Sequence, residues 1–424
     1  MPDYKGDIMK HLSYEQALLV GCQLNGETDE NFTSSLQELE SLTETAGGKM
    51  QAGLTQKRER PHPATYIGKG KVTELINLEE ELQPDVIIFN DELSPSQLRN
   101  LSKVLNARLI DRTQLILDIF AQRAQSREGQ LQVELAQLRY AMPRLVGQGK
   151  ELSRQGGGIG TRGPGETQLE SDRRNIRRKI TEIEQQLAVI VKHRERYRER
   201  RKRNSRFTFS LAGYTNAGKS TLFNQLTNAS VYEENQLFAT LDPTTRECVL
   251  PSGYKVLLSD TVGFIQDLPT SLIAAFRSTL EEVSESDVIL HVVDSAHPNY
   301  YIHEQTVTEV LQELEADQIP QMIVYNKRDL SKNLSFLPTT ADSIHISAKV
   351  PEDLTELLHA MEQLVIKQML PYQVKLAADQ GKLIARLKDE TIVKEIRFDE
   401  EQAIYHMNGF ALSNHSIMGI IEKL

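Results

Sequence analysis

The chain has 424 residues, 39% of them hydrophobic and 25% charged, which at ~100–200 residues per domain predicts two to four globular domains. Cys22 and Cys248 are its only cysteines, which excludes a disulfide framework and cysteine-based metal spacing. No signal-type segment opens the chain, and no apolar run approaches the ~18–20 residues of a membrane span. The net charge of −10 is unevenly placed: residues 171–206 hold fourteen bases against five acids, or +9, which leaves −19 for the rest. The expected setting is a reducing one, the cytoplasm, with no membrane involved.

In residues 1–112, strand-like stretches at 17–22, 85–90 and 108–111 alternate with helical ones at 29–45 and 72–82. Ser94 can cap a helix that starts at Pro95, the favoured place for proline. The alternation predicts a small N-terminal α/β domain with a parallel sheet. Gly68-Lys69-Gly70-Lys71, ahead of the second helix, reads as a turn suited to a phosphate or an RNA backbone.

Residues 113–205 change character. Leu131, Leu135, Leu138 and Met142, then Leu169, Ile176, Ile180, Ile183, Leu187 and Ile190, fall at seam positions of two amphipathic helices. The expected arrangement is a long antiparallel helical hairpin, its second helix about 35 residues or ~50 Å long. The break at 143–165 contains Gly156, Gly157, Gly158, Gly160, Gly163 and Gly165, and reads as an open tip loop. Arg144, Lys150, Arg154 and Arg162 make that loop basic. Residues 206–368 alternate again, with strands expected at 207–212, 247–250, 254–259, 288–293, 322–325 and 344–346 and a helix at 354–367. This is the pattern of a mostly parallel, doubly wound sheet. Residues 369–424, with strands at 392–398 and 403–406, read as a small C-terminal α/β module.

The chemistry concentrates in 206–368. Gly213-Tyr214-Thr215-Asn216-Ala217-Gly218-Lys219-Ser220, followed by Thr221, fits a P-loop between a strand and a helix. Its amides would wrap phosphates, Lys219 would reach the β- and γ-phosphates, and the Ser220 hydroxyl would ligate Mg²⁺. In Asp260-Thr261-Val262-Gly263, Asp260 would hold Mg²⁺ through water, and the Gly263 N–H would sense the γ-phosphate. Asn326-Lys327-Arg328-Asp329 supplies a carboxylate for the N1–H and N2–H₂ donors of guanine, a donor pair adenine lacks. Ser347-Ala348-Lys349 would meet the guanine O6 through its backbone. All the elements of a P-loop GTPase stand in the right order, and GTP and GDP are the expected ligands.

Between P-loop and DxxG, a switch loop must bring a threonine to Mg²⁺, and Thr240, Thr244 and Thr245 compete for that role. Phe264 stands after Gly263, where Ras-type GTPases place the glutamine that orients water, so a partner or an ion is expected to complete the site. Asn216 stands where potassium-activated GTPases use an asparagine to hold K⁺. The alternative is that it merely stabilises the loop turn.

The run from Gly163-Pro164-Gly165-Glu166-Thr167-Gln168-Leu169-Glu170 to Arg174, the P-loop octet, Phe238-Ala239-Thr240-Leu241-Asp242, and Tyr66-Ile67-Gly68-Lys69-Gly70-Lys71 together resemble the HflX family of bacterial GTPases. The resemblance covers nearly the whole chain, the last ~55 residues least. It implies Thr240 as the switch threonine, with Lys219, Thr240 and Gly263 as the catalytic set and Ser220 and Thr240 on Mg²⁺. It also implies a monomer that binds the large ribosomal subunit, ribosomal RNA included, and dissociates stalled or hibernating ribosomes. A checkpoint factor acting on large-subunit precursors is the alternative. The basic helix agrees independently, since its arginines suit phosphate backbones, and one tyrosine in the segment leaves little for base stacking.

Overall fold

A computed structural model describes residues 14–145, 164–203, 206–227, 237–238, 240–266, 282–331, 338–340, 343–413 and 415–423. The chain divides into two compact units, Met1–Gln122 with Val133–Glu184, and Arg123–Gln132 with Gln185–Leu424.

The first unit is built on four parallel strands, β1 (Glu15–Leu24), β2 (Gly48–Arg58), β3 (Val86–Phe89) and β4 (Arg108–Asp111), in the order β2-β1-β3-β4. Its core joins Leu18, Val20, Ile87 and Phe89 of the sheet to Leu75 of helix Lys69–Leu82. Helix Asp29–Thr45 starts at Thr28, whose hydroxyl accepts the Asn31 N–H. Helix Pro95–Leu101 starts in a reciprocal capping box between Ser94 and Gln97, so two orphan donors are satisfied at once. Strand β2 does not figure in the sequence reading. Tyr66, part of the family signature, is 1% exposed; its hydroxyl donates to Asp91 and accepts the Cys22 N–H at 3.0 Å. The Gly68 N–H, a candidate phosphate donor, is taken by Gln56 Oε1 at 2.8 Å.

Helix Arg127–Arg144 carries Pro143 inside its last turn, and helix Pro164–Arg203 runs 40 residues, roughly 60 Å at ~1.5 Å per residue. The expected open loop at 143–165 is therefore corrected at both edges; its remainder, with most of the glycines, lies outside the described residues. Arg144 explains the first correction. Its guanidinium sits 3.4 Å from the Tyr140 ring centroid, donates to the Tyr140 and Leu93 carbonyls, and pairs with Glu92 at 3.0 Å and Asp111 at 3.3 Å. This base is engaged within its own compact unit, not held out on an open loop. In helix Pro164–Arg203, Ile183 is buried and Ile176, Ile180, Leu187 and Ile190 are half-buried, as their spacing requires.

The second unit contains a six-stranded sheet of β5 (Thr208–Gly213), β6 (Thr244–Val249), β7 (Lys255–Asp260), β8 (Val288–Asp294), β9 (Gln321–Asn326) and β10 (Ser343–His345). The order is β10-β9-β8-β5-β7-β6, parallel except for β6 on β7. The chain leaves β5 for one side and later returns to the other, so the end of β5 is a topological switch point, where doubly wound sheets bind ligands. Helix Pro351–Lys367 packs Leu357, Met361 and Val365 into the core of this sheet. A separate antiparallel sheet follows, β11 (Leu370–Ala377), β12 (Ile392–Asp399) and β13 (Ile404–Ala411), in the order β11-β13-β12. Its Val374, Leu376 and Met407 pack with Leu387 of helix Gly381–Glu390.

Candidate functional site

The P-loop begins where β5 ends. A Cβ on Gly213 would lie 2.2 Å from the Val292 carbonyl oxygen, so the strand crossing excludes any side chain there. Asn216 (φ 58) and Gly218 (φ 94) turn through the left-handed region, and helix Lys219–Thr227 opens directly after. That geometry sets a left-handed turn directly ahead of a helix N-terminus, the arrangement that suits an anion. The loop is laced to the DxxG segment: Thr215 N–H donates to the Phe264 carbonyl at 2.7 Å, and Phe264 N–H to the Gly213 carbonyl at 3.1 Å. Gly263 is wedged in the same place, its would-be Cβ 3.0 Å from both Lys219 Nζ and Thr215.

Lys219 is 6% exposed and donates to the Gly213 and Tyr214 carbonyls at 3.0 and 2.8 Å. Burial pushes its ammonium down to about 8; Asp260 opposes that shift and Lys327 adds to it. Beside it, three oxygens form a triangle. Ser220 Oγ lies 2.8 Å from Thr240 Oγ1, and both lie within hydrogen-bond reach of Asp260 Oδ2, at 2.8 and 2.9 Å. Asp260 Oδ1 is buried with no hydrogen-bond partner among the described residues, and burial raises the acid's pKa. Hydroxyls and one carboxylate converging on a point, with a buried carboxylate oxygen left over, fit a hard dication that draws its other ligands from water and phosphate. Mg²⁺ is the ion that P-loop NTPases hold at such a place.

The three candidate switch threonines take different places. Thr245 Oγ1 pairs with Ser259 Oγ at 2.9 Å, and Thr244 sits in the β6–β7 ladder opposite Asp260, while Thr240 joins the triangle. Phe238 and Leu241 are each 2% exposed, so their side chains anchor the switch segment in the protein. Ala239 lies outside the described residues. Asp242, expected among the nucleotide contacts, instead accepts the Gln125 and Ser126 N–H groups at 2.9 and 2.8 Å.

A cleft of about 450 Å³ runs from Asn216, Gly218 and Thr221 to Asp329, Ser347 and Lys349. Asn326 is its scaffold: Nδ2 donates to the Ala217 carbonyl and Oδ1 accepts the Ala348 N–H, both at 2.9 Å, which ties three motifs together. Asp329 is exposed and accepts Ser347 Oγ–H at 2.7 Å. Lys327 is held by Asp294 at 2.7 Å. Arg328 is a correction. Its guanidinium pairs with Asp353 and donates to the His345 carbonyl, so the motif arginine braces the fold and does not line the cleft. Sequence reading missed Asp353, which also accepts the Ser347 N–H at 2.7 Å, and His303, which stacks on Tyr214 with ring centroids 3.8 Å apart. Neither carries a local sequence signal.

Residues 33–121, 123–201 and 208–327 match family models described as GTP-binding GTPase N-terminal, GTP-binding GTPase Middle Region and 50S ribosome-binding GTPase. The GTPase HflX of Alkalihalophilus pseudofirmus is 58% identical over 416 residues, covering 98% of each chain. The chain belongs to the HflX family. HflX GTPases from Caldanaerobacter subterraneus and Escherichia coli are 48% and 41% identical, each over at least 92% of both chains. It is a P-loop GTP hydrolase. In this HflX chain the residue after Gly263 is a buried anchor: Phe264 is 1% exposed and its backbone pairs with the P-loop. Its apolar side chain cannot orient water as a glutamine would.

Proposed function

We propose that this HflX chain binds the large ribosomal subunit and couples GTP binding and hydrolysis to the dissociation of stalled or hibernating ribosomes. One observation carries the reading. Helix Pro164–Arg203 turns its apolar seam inward and leaves Arg174, Arg177, Arg178, Lys179, Lys192 and Arg196 exposed. An extended basic face on an otherwise acidic chain fits an RNA backbone, and the ribosome-binding description of the 208–327 model adds support. We assign four domains, 1–112, 113–205, 206–368 and 369–424, in a cytoplasmic monomer. Cys22 and Cys248 are free, and among the described residues no helix is long and apolar enough to cross a membrane.

In the site, P-loop amides at the start of helix Lys219–Thr227 cradle the phosphates and Lys219 reaches the β- and γ-oxygens. Ser220, Thr240 and Asp260 would hold Mg²⁺, and the Gly263 N–H would meet the γ-phosphate. Bound Mg²⁺ supplies positive charge against the developing negative charge of the β- and γ-oxygens. Lys327, Asp329 and the Ser347–Lys349 backbone receive the guanine. Asn216, exposed at the loop apex, is placed to share a K⁺ ion with the phosphates.

GTP hydrolysis should rise on adding purified large subunits. It should also run faster in K⁺ than in Na⁺ buffer, and equal rates in the two salts would remove Asn216 from any ion site. Subunit binding should weaken ~10²–10³-fold between about 50 and about 200 mM salt if roughly five phosphates are neutralised. Deleting residues 156–165 should spare GTP binding and abolish ribosome-dependent activity. Stimulation by precursor particles but not by mature subunits would move the function to assembly, and no binding to either would end the ribosome reading.

A further inference from the structure

The switch loop and the start of helix Arg127–Arg144 meet at one carboxylate. Asp242 Oδ2 accepts both the Gln125 and the Ser126 N–H, and Oδ1 accepts the Ser126 hydroxyl. Ser126 is in turn the helix N-cap: its Oγ accepts the Gly129 N–H at 2.9 Å, and its carbonyl accepts the Gln130 N–H at 3.0 Å. Gly129 is required by the contact, since a Cβ there would lie 2.5 Å from Asp242 Oδ1. The carboxylate therefore sits over the first helical turn, where the exposed N–H groups and the helix dipole favour an anion.

Thr240 lies only two residues back, on the oxygen triangle with Ser220 and Asp260. Leu241 between them is 2% exposed. Three successive residues are thus fixed to three different things: the metal-ligand oxygens, the core, and the helix start. Two residues of chain span at most ~7 Å, so Thr240 cannot travel far while Asp242 stays on the helix.

We infer that Asp242 and Ser126 are positioning residues for GTP hydrolysis, and that seating Thr240 at the metal and capping helix Arg127–Arg144 are one coupled event. A nucleotide that recruits Thr240 tightens the cap, and by linkage a firm cap presents Thr240 more readily. Residues 123–132 belong to the same compact unit as the nucleotide site, so the coupling holds whether or not a ribosome is the partner.

Hydrogen exchange on the full chain tests this over residues 124–130, with Mg²⁺ and either GDP or a non-hydrolysable GTP analogue. The wild type should exchange about tenfold more slowly there in the triphosphate state, and D242A should show no difference between states. A cap that is merely structural would protect these amides equally with both nucleotides. A rate cycle supplies the second readout. S126A and D242A should each lower kcat about five- to thirtyfold with GDP affinity unchanged, and the double variant should lose no more than the worse single one. Should D242A fail to fold, S126A, which removes the hydroxyl contact to Asp242 and the cap to Gly129, must still shrink the difference in exchange. Equal protection in both states, or losses that multiply in the double variant, overturn the coupling.

Discussion

Lys219→Ala lowers GTP turnover by at least ~10²–10³-fold and leaves the melting temperature of the ligand-free chain unchanged or higher. The two halves of this expectation come from different atoms. The ammonium is nearly fully buried against two neutral carbonyls, and burial already pushes it down to about 8. A charge in such a place costs the empty fold free energy. Its removal orphans neither carbonyl, because Gly213 O also accepts the Phe264 N–H and Tyr214 O also accepts the Ala217 N–H. With nucleotide bound, the same ammonium would face phosphate oxygens whose charge grows along the reaction. Single-turnover hydrolysis and a melting curve read the two effects separately. A fall in melting temperature alongside the lost activity would make Lys219 a structural residue. Intact turnover would move phosphate positioning elsewhere.

How much of this was legible in the chain depends on distance along it. The helix starting at Pro95 was readable because its cap, Ser94, is the preceding residue and Gln97 completes the box. The seam through Ile176, Ile180 and Ile183 was readable because helical periodicity is local. Four strands of the six-stranded sheet, β5, β7, β9 and β10, were readable because each of the motifs at 213–220, 260–263, 326–329 and 347–349 must follow one. Strands β2 and β11 were not read, although Met50, Ala52 and Leu54 alternate in the first and Tyr372, Val374 and Leu376 in the second. In both, the intervening polar residues mask a pattern only one face wide. Arg144 and Asp242 were misplaced for a deeper reason. Arg144 finds Glu92 52 residues away, and Asp242 finds Gln125 117 residues away. No window of sequence holds both partners, and each side chain read in isolation looked like surface charge meant for a ligand. The same holds for Arg328, whose motif position suggested the base while Asp353 claims its guanidinium.

Asp329→Asn weakens GTP roughly 100-fold and makes xanthosine triphosphate the preferred ligand. The carboxylate in the cleft is an acceptor on both oxygens, matching the two adjacent donors N1–H and N2–H₂ of guanine. One oxygen is steadied by the Ser347 hydroxyl at 2.7 Å, and Ser347 is itself fixed by its N–H on Asp353. The side chain is thus pre-oriented before any base arrives. An amide in the same place presents one acceptor and one donor. Its donor meets the N2–H₂ of guanine head-on, leaving two buried donors unpaired, while it complements the N1–H and O2 pair of xanthine. The Ser347 hydroxyl can rotate to donate or to accept, so the substitution leaves the steadying contact intact and the change is confined to the base. Asn326 offers the contrasting result. Its amide bridges Ala217 and Ala348, so Asn326→Ala should loosen every nucleotide alike by opening the P-loop from the base-binding strand. Competition of the guanosine and xanthosine triphosphates against a fluorescent nucleotide separates the two behaviours. Unchanged GTP affinity in Asp329→Asn would mean that the base is read from another part of the cleft.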